Sequence, residues 1–185
     1  MGILYIIRHA ETDYNNKGIY IGKKDISINK NGIKQANYLG KLLKKEDVDL
    51  IVASSLTRAT ETANIINKYI KKDIIIDNHF AEVNIGDCEG LTNNEVFKII
   101  KNEYHQDLYR FYKDGYRRGE KPQDVEKRVY DGLNNIKNNY PDKKIALITH
   151  GFIIRVINKH FNPQISFEDF FNFLVENAEI KVFDF

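Results

Sequence analysis

The stretch Ile3-Leu4-Tyr5-Ile6-Ile7-Arg8-His9 begins with five apolar residues and ends on two residues that can do chemistry. A short continuous apolar run is typical of a strand buried on both faces. Further strands are predicted for the other short apolar runs, at Leu50 to Ala53, Ile74 to Ile76, Ile145 to Thr149 and, near the end, Glu179 to Phe183.

Apolar residues at helical spacing lie between these runs. They predict three helices, marked by Ile33, Ala36, Leu39 and Leu43; by Leu56, Ala59, Ala63, Ile66 and Ile70; and by Val125, Val129, Leu133 and Ile136, with Pro122 near the start of the last. Capping signals add two more starts, Thr92 with Glu95 and Ser166 with Asp169. The alternation predicts one domain over residues 1–185, a three-layer α/β/α sandwich with a mainly parallel central sheet.

The composition excludes several classes of protein. A net charge of +2 is too small to indicate a nucleic-acid or anionic-membrane partner. The single cysteine, Cys88, excludes an intramolecular disulfide, and no Cys/His spacing indicates zinc. No apolar stretch approaches the roughly 20 residues of a membrane span, and the first residues suit a strand better than a signal peptide. We therefore expect a cytoplasmic protein.

Residues that bind anions follow three of the predicted strands. Arg8 and His9 follow the first strand, Arg58 comes soon after the second, and His150 and Gly151 follow the fourth. Because ligands of parallel sheets bind beyond the carboxyl ends of the strands, these side chains are expected at one rim.

Two arginines and two histidines suit phosphoryl chemistry. Guanidinium groups bind phosphate oxygens through paired hydrogen bonds, and the helix start near Leu56 adds backbone N–H donors. An imidazole with a pKa near 6.5 offers a neutral nitrogen nucleophile, although a carboxylic acid is needed to protonate the leaving group. Singly, a histidine or arginine after a strand is more often a surface or capping residue, so the pattern alone does not name the reaction.

The motifs around these residues resemble the histidine phosphatase superfamily, in its phosphoglycerate-mutase-like branch. Arg8-His9-Ala10-Glu11-Thr12 is similar to the Arg-His-Gly-Glu-Thr signature, with Ala10 in place of glycine. The other matching segments follow in family order and are Gly22 to Asn29, Ser54 to Ala63, Ala81 to Gly90, Gly119-Glu120 with Asp124 and Arg128, and Leu147 to Gly151 with Arg155.

The resemblance implies a role for each matching residue. His9 is the expected phosphorylated nucleophile, Glu82 the general acid, and Arg8, Arg58 and His150 the ligands of the phosphoryl group. Glu89 is a weaker rival for the acid. The expected substrate contacts are Asn15, Ile21, Thr149, Gly151 and Arg117. No metal ion or organic cofactor is expected.

The expected function is hydrolysis of a small phosphorylated metabolite through a phosphohistidine. One alternative is a cofactor-dependent phosphoglycerate mutase, against which we weigh the short chain, and another is a catalytically silent phospho-ligand-binding module. Sugar phosphates, phosphoglycerates, α-ribazole phosphate and phosphoproteins all stay open as substrates.

A short helical cap is expected at about 92–118, with aromatic residues that mostly pack against neighbouring helices. We expect a monomer or a homodimer, and structural or surface roles for His79, His105 and His160.

Overall fold

A computed structural model describes residues 1–104 and 108–185, with the side chains of these ranges except those of residues 100–104 and 108. Within this part of the chain, five strands form one sheet in the order β3-β2-β4-β1-β5. The first four are mutually parallel and β5 runs antiparallel to β1. The strands are β1 (Ile3–Arg8), β2 (Leu50–Ala53), β3 (Ile74–Ile76), β4 (Lys144–Thr149) and β5 (Ile180–Asp184).

Helices cover both faces of the sheet, so the predicted three-layer sandwich with a mainly parallel sheet is confirmed. Side chains alternate along β1: Tyr5 and Ile7 pack against α2 and α3, while Leu4 and Ile6 face the core shared with α6 and α7. The helices are α1 (Asp13–Asn16), α2 (Lys30–Leu43), α3 (Thr57–Ile70), α4 (Asn93–Tyr104), α5 (Leu108–Asp114), α6 (Pro122–Asn139), α7 (Gly151–Phe161) and α8 (Phe167–Asn172).

The sheet register aligns the ends of the strands that carry the motifs. Arg8 lies opposite Thr149 at the ends of β1 and β4. The pairing continues into the loops, where the His9 N–H donates to the Thr149 carbonyl at 2.9 Å and the Ser54 N–H donates to the Ile148 carbonyl at 3.0 Å. The residues that follow the three strands are thereby held side by side.

The segment expected to form a helical cap contains α4 and α5. Thr92 and Glu95 form the expected capping box, in which the Thr92 N–H donates to Glu95 Oε2 at 2.8 Å. Phe111 and Tyr112 of α5 are buried, and Tyr112 packs on the rings of α8, so the packing interpretation holds for both. His105 lies outside the described residues. The function of the segment as a cap stays a prediction. Among the described helices, none combines the length and the apolar composition required to cross a membrane.

Candidate active site

A cavity of about 410 Å³ opens at the carboxyl edge of the parallel strands. Four residues expected to do the chemistry line it, namely Arg8, His9, Arg58 and Glu82. They come from the ends of β1, the first turn of α3 and the loop after β3. The structure thus brings together residues that are as far as 74 positions apart (82 − 8) in the sequence.

His9 is held as a neutral imidazole with one specific nitrogen facing the arginines. Its Nδ1–H donates to the Ala10 carbonyl at 2.8 Å, which leaves the lone pair on Nε2. Arg58 Nε–H donates to that Nε2 at 3.2 Å. Burial, together with the charges of Arg58 and Arg8, holds the pKa of His9 well below its ordinary value of 6.5. At neutral pH, Nε2 is therefore an unprotonated nitrogen beside two cations.

Arg58 is almost completely buried, at 1% exposure, yet its donors have acceptors. Its two terminal nitrogens donate to the Gly22 carbonyl at 2.8 Å and to the Lys24 carbonyl at 2.9 Å. Asp25 caps α3 by accepting the Thr57 N–H at 2.7 Å, which fixes this loop on the helix. Burial lowers the pKa of Arg58 to about 10, so the group stays cationic at neutral pH.

Arg8 contributes a guanidinium group with an incompletely satisfied set of donors. Its Nη1 donates to the Val175 carbonyl at 2.7 Å, whereas the buried Nε has no hydrogen-bond partner among the described residues. A buried donor without a partner is costly, by about 1–3 kcal/mol. An oxyanion in the cavity would satisfy such a donor.

His150 lies beside the nucleophile but is fully buried. Its ring centroid is 5.2 Å from that of His9, and Nε2 lies 2.7 Å from Ser54 Oγ. Ser54 Oγ also accepts the Leu56 N–H at 3.3 Å. The other ring nitrogen of His150, Nδ1, has no hydrogen-bond partner among the described residues. His150 is not among the residues that line the cavity, so its expected contact with the phosphoryl group stays a prediction.

Glu82 supplies a carboxyl group to the cavity. Burial raises its pKa above the usual 4.5, while the charge of Arg58 and the Val83 N–H, which donates to Oε1 at 3.0 Å, oppose that shift. Arg128 fixes the backbone of this loop by donating to the His79 carbonyl at 2.7 Å and to the Glu82 carbonyl at 3.4 Å. Burial therefore favours the protonated form of this carboxyl group.

The family model of the histidine phosphatase superfamily (branch 1) matches residues 4–185. The chain belongs to this superfamily. It is 32% identical to an uncharacterized phosphatase, PhoE, of Bacillus subtilis, over 85% of this chain and 76% of that protein. A mycobacterial glucosyl-3-phosphoglycerate phosphatase solved with VO3 superposes with a TM-score of 0.87 at 23% identity, covering 97% of this chain and 90% of the other. The predicted family and enzyme class are therefore confirmed.

A phosphoglycerate mutase also aligns with the full length of this histidine phosphatase. The 2,3-bisphosphoglycerate-dependent phosphoglycerate mutase of Thermoplasma acidophilum is 27% identical over 100% of this chain and 88% of that protein. The expectation that chain length separates the two classes is therefore weakened, because this mutase is only slightly longer.

Three of the five expected substrate contacts line the cavity of this histidine phosphatase, namely Asn15, Ile21 and Gly151. The other two lie elsewhere, which corrects their expected positions. Thr149 is fully buried, and its hydroxyl donates to the Phe80 carbonyl at 2.8 Å. The side chain of Arg117 is 73% exposed and pairs with Asp87 at 3.6 Å. Neither side chain is among those that line the cavity.

Several cavity-lining residues were not among the expected contacts. Arg155 is four positions after Gly151 on α7, and this helical spacing is a signal that places both on one face. Tyr116 lies within the aromatic run that we expected mostly to pack. The segment 173–177 carries no motif and no periodicity that would have indicated the site. The cavity-lining residues that were missed are Gly18, Ile19, Tyr20, Gly22, Val83, Ile85, Asn93, Tyr116, Phe152, Arg155, Phe173, Leu174, Val175, Glu176 and Asn177.

Proposed function

We propose that the protein hydrolyses phosphomonoesters of small metabolites through a phosphohistidine on His9. One observation carries the proposal: His9 Nε2 carries no proton and accepts the Arg58 Nε–H, in a cavity that Arg8 and Glu82 also line. These groups are a nucleophile, two cations for an oxyanion, and an acid.

In the first step, His9 Nε2 attacks phosphorus and the bond from phosphorus to the ester oxygen breaks. Arg8 and Arg58 bind the equatorial oxygens, and a phosphoryl oxygen replaces His9 Nε2 as the acceptor of the Arg58 Nε–H. Glu82 donates its proton to the departing alkoxide, so the alcohol leaves neutral. The Ala10 carbonyl stabilises the imidazolium that forms, because it accepts the Nδ1–H at 2.8 Å.

In the second step, water attacks the phosphoryl group and the bond from phosphorus to Nε2 breaks. The carboxylate of Glu82 accepts a proton from the attacking water, which restores the acid for the next cycle. Inorganic phosphate is released, and His9 returns to its neutral form. The ring of His150 lies 5.2 Å from that of His9 and its Nδ1 has no partner among the described residues, which supports the expected role of His150 as a ligand of the phosphoryl group.

The size of the cavity supports a small substrate. A volume of about 410 Å³ is typical of sites for metabolite-sized ligands. Besides the arginines and other polar residues, the walls include apolar and aromatic side chains, with Ile21, Tyr116 and Phe152 among them. A cytoplasmic location and a monomeric or homodimeric state are part of the same proposal.

A phosphoglycerate mutase is the second candidate, since the mutase alignment described above spans the whole chain. Both reactions begin with transfer to His9 and differ in what accepts the phosphoryl group afterwards. A catalytically silent binding module is disfavoured, because such a module has no need of an acid beside the nucleophile.

The test is a panel of phosphomonoesters assayed for inorganic phosphate, run beside an assay for isomerisation of phosphoglycerate. We expect phosphate release from several small esters and none from His9→Ala. The control is His160→Ala. His160 is a partly buried imidazole that packs against the ring of Tyr130 and lies outside the cavity. Isomerisation faster than hydrolysis would favour the mutase, and failure to release phosphate from any ester would favour the silent module.

A further inference from the structure

The C-terminal segment Phe173–Asn177 forms one wall of the cavity and is bonded directly to the catalytic machinery. Arg8 Nη1 donates to the Val175 carbonyl at 2.7 Å, and the Ala178 N–H donates back to the Arg8 carbonyl at 3.0 Å. Arg155 Nε donates to the Phe173 carbonyl at 3.0 Å. The wall therefore cannot shift without disturbing Arg8.

Asn177 reaches from this wall to two residues of the site. Its Nδ2 lies 2.9 Å from the His9 carbonyl and 3.2 Å from Asn15 Oδ1. A backbone carbonyl can only accept a hydrogen bond, so the orientation of the Asn177 amide is fixed by His9. The two N–H groups of one side chain thus join the nucleophile's backbone to Asn15.

The amide of Asn15 is fixed by the same reasoning. The Thr12 backbone N–H can only donate, and it points at Asn15 Oδ1 from 3.1 Å. Thr12 Oγ1 and Asn177 Nδ2 donate to the same oxygen at 2.9 Å and 3.2 Å. Asn15 Nδ2 has no hydrogen bond to the described residues, and Asn15 lines the cavity beside the arginines. Its two N–H groups are the donors left for an anionic ligand.

We propose that Asn177 is a positioning residue, which sets the Asn15 amide so that Nδ2 and not Oδ1 is presented to the bound phosphoryl group. The inference rests on the proposed function, because the anion in question is the phosphoryl group. Asn177 acts together with Thr12: without Asn177, the oxygen of Asn15 keeps only the two Thr12 donors, and the orientation of the amide is held less tightly. A turned amide presents an oxygen to an oxyanion, which repels the ligand instead of binding it.

The backbone beside Asn177 supports this inference. Ala178 has a φ of +61°, the left-handed region that residues with a Cβ seldom adopt. Such conformations persist where the surrounding structure holds them, and they are enriched at functional sites. Here the turn lets the Asn177 side chain lie over the site just before β5 begins at Ile180.

The experiment is a double-mutant cycle with orthovanadate as the phosphate mimic. The inhibition constant of orthovanadate and the KM and kcat for 4-nitrophenyl phosphate are measured for the wild type, Asn15→Ala, Asn177→Ala and the double variant. We expect each single change to weaken orthovanadate binding by about tenfold, the effect of one hydrogen bond to a charged group. The double variant is expected to bind no more weakly than the worse single variant, because Asn177 acts through Asn15.

Asn162→Ala is the matched control, since Asn162 Nδ2 also donates to two oxygens, both of Asn158 at 3.1 Å and 2.9 Å, and lies outside the cavity. It is expected to leave the inhibition constant unchanged. If Asn177→Ala does not fold, the cycle is run with Asn177→Leu, which is of similar size, is uncharged and lacks the two N–H donors.

Two outcomes overturn the inference. The first is that Asn177→Ala weakens orthovanadate binding by the same factor in the wild type and in the Asn15→Ala variant. The second is that Asn177→Ala lowers the Tm and leaves the affinity for orthovanadate unchanged. A wild type that neither binds orthovanadate nor turns over any ester overturns the proposed function itself, and so the two failures are distinguishable.

Discussion

Arg58 donates its Nε–H to His9 Nε2 across 3.2 Å, while both of its terminal nitrogens are bonded to backbone carbonyls. The cation that is to bind the phosphoryl group is therefore aligned with the attacking nitrogen before any substrate arrives. Such alignment lowers the reorganisation needed during the reaction.

Arg58→Lys should lower kcat/KM by about 10²- to 10³-fold, the range found when a preorganised donor is removed. Lysine keeps the charge but lacks the planar fork, so it cannot bond Gly22, Lys24 and His9 at once. Steady-state kinetics on an ester found in the panel measure the loss. Arg110→Lys, on an exposed face of α5, is the control and should match the wild type. If Arg58→Lys had the same kcat/KM as the wild type, the role assigned to the planar guanidinium group would be contradicted.

Glu82→Ala should slow hydrolysis in proportion to how poor the leaving group is. For an alkyl phosphate we expect a loss of about 10²- to 10⁴-fold, because the departing alkoxide needs a proton. For 4-nitrophenyl phosphate the loss should be far smaller, since the phenolate leaves without one. Glu89→Ala is the control, because this neighbouring carboxyl is exposed and outside the cavity. Equal losses on both substrates would show that Glu82 is not the acid.

The pH dependence of kcat/KM should be bell-shaped. Burial holds the pKa of His9 well below 6.5, so the nucleophile stays unprotonated as the pH falls below 7. Burial also raises the pKa of Glu82, so the acid stays protonated to a higher pH than an exposed glutamate. Activity therefore falls at low pH as His9 gains a proton and at high pH as Glu82 loses one.

The alkaline decline should disappear in Glu82→Gln, whose residual activity no longer depends on that carboxyl group. A pH series on the wild type and on this variant measures both limbs. An alkaline decline of the same midpoint in the two proteins would assign it to another group.

Thr149→Val should lower stability without changing KM. The change removes the hydroxyl that donates to the Phe80 carbonyl at 2.8 Å and leaves that buried oxygen unpaired, at a cost of about 1–3 kcal/mol. Urea unfolding measures the cost, and Thr60→Val is the control because its hydroxyl bonds a carbonyl within the first turn of α3. A raised KM at unchanged stability would restore Thr149 as a substrate contact.

The fold could be predicted because its local signals agree with its packing. Each short apolar run became a strand of the sheet, with β1, β2 and β4 largely buried and the edge strands β3 and β5 partly exposed. The helical stripes face the cores on either side of the sheet, except for Ile33, which is exposed. Residues that follow parallel strands must meet at one edge, which is why Arg8, His9 and Arg58 were expected together from the strand order. That rule needs only the order of the elements, whereas Glu82 was assigned through the family resemblance.

The direction in which a side chain points could not be predicted from the order of the elements. Thr149 ends a strand at the site, but the two-residue alternation of the strand turns its hydroxyl toward Phe80 and away from the cavity. Arg117 has the right charge, yet its loop carries it outward to Asp87. The wall 173–177 is brought to Arg8 by the return of β5 beside β1, a pairing that no short motif records.

Trapping the phosphohistidine on His9 tests the proposed mechanism. Glu82→Gln is mixed briefly with ³²P-labelled 4-nitrophenyl phosphate, whose leaving group needs no proton, quenched in alkali, and digested for peptide mapping. We expect label that is stable in alkali and lost in acid, on the peptide containing His9, and none in a His9→Ala variant. Acid-stable label on another residue, or turnover that persists in His9→Ala, would contradict the mechanism.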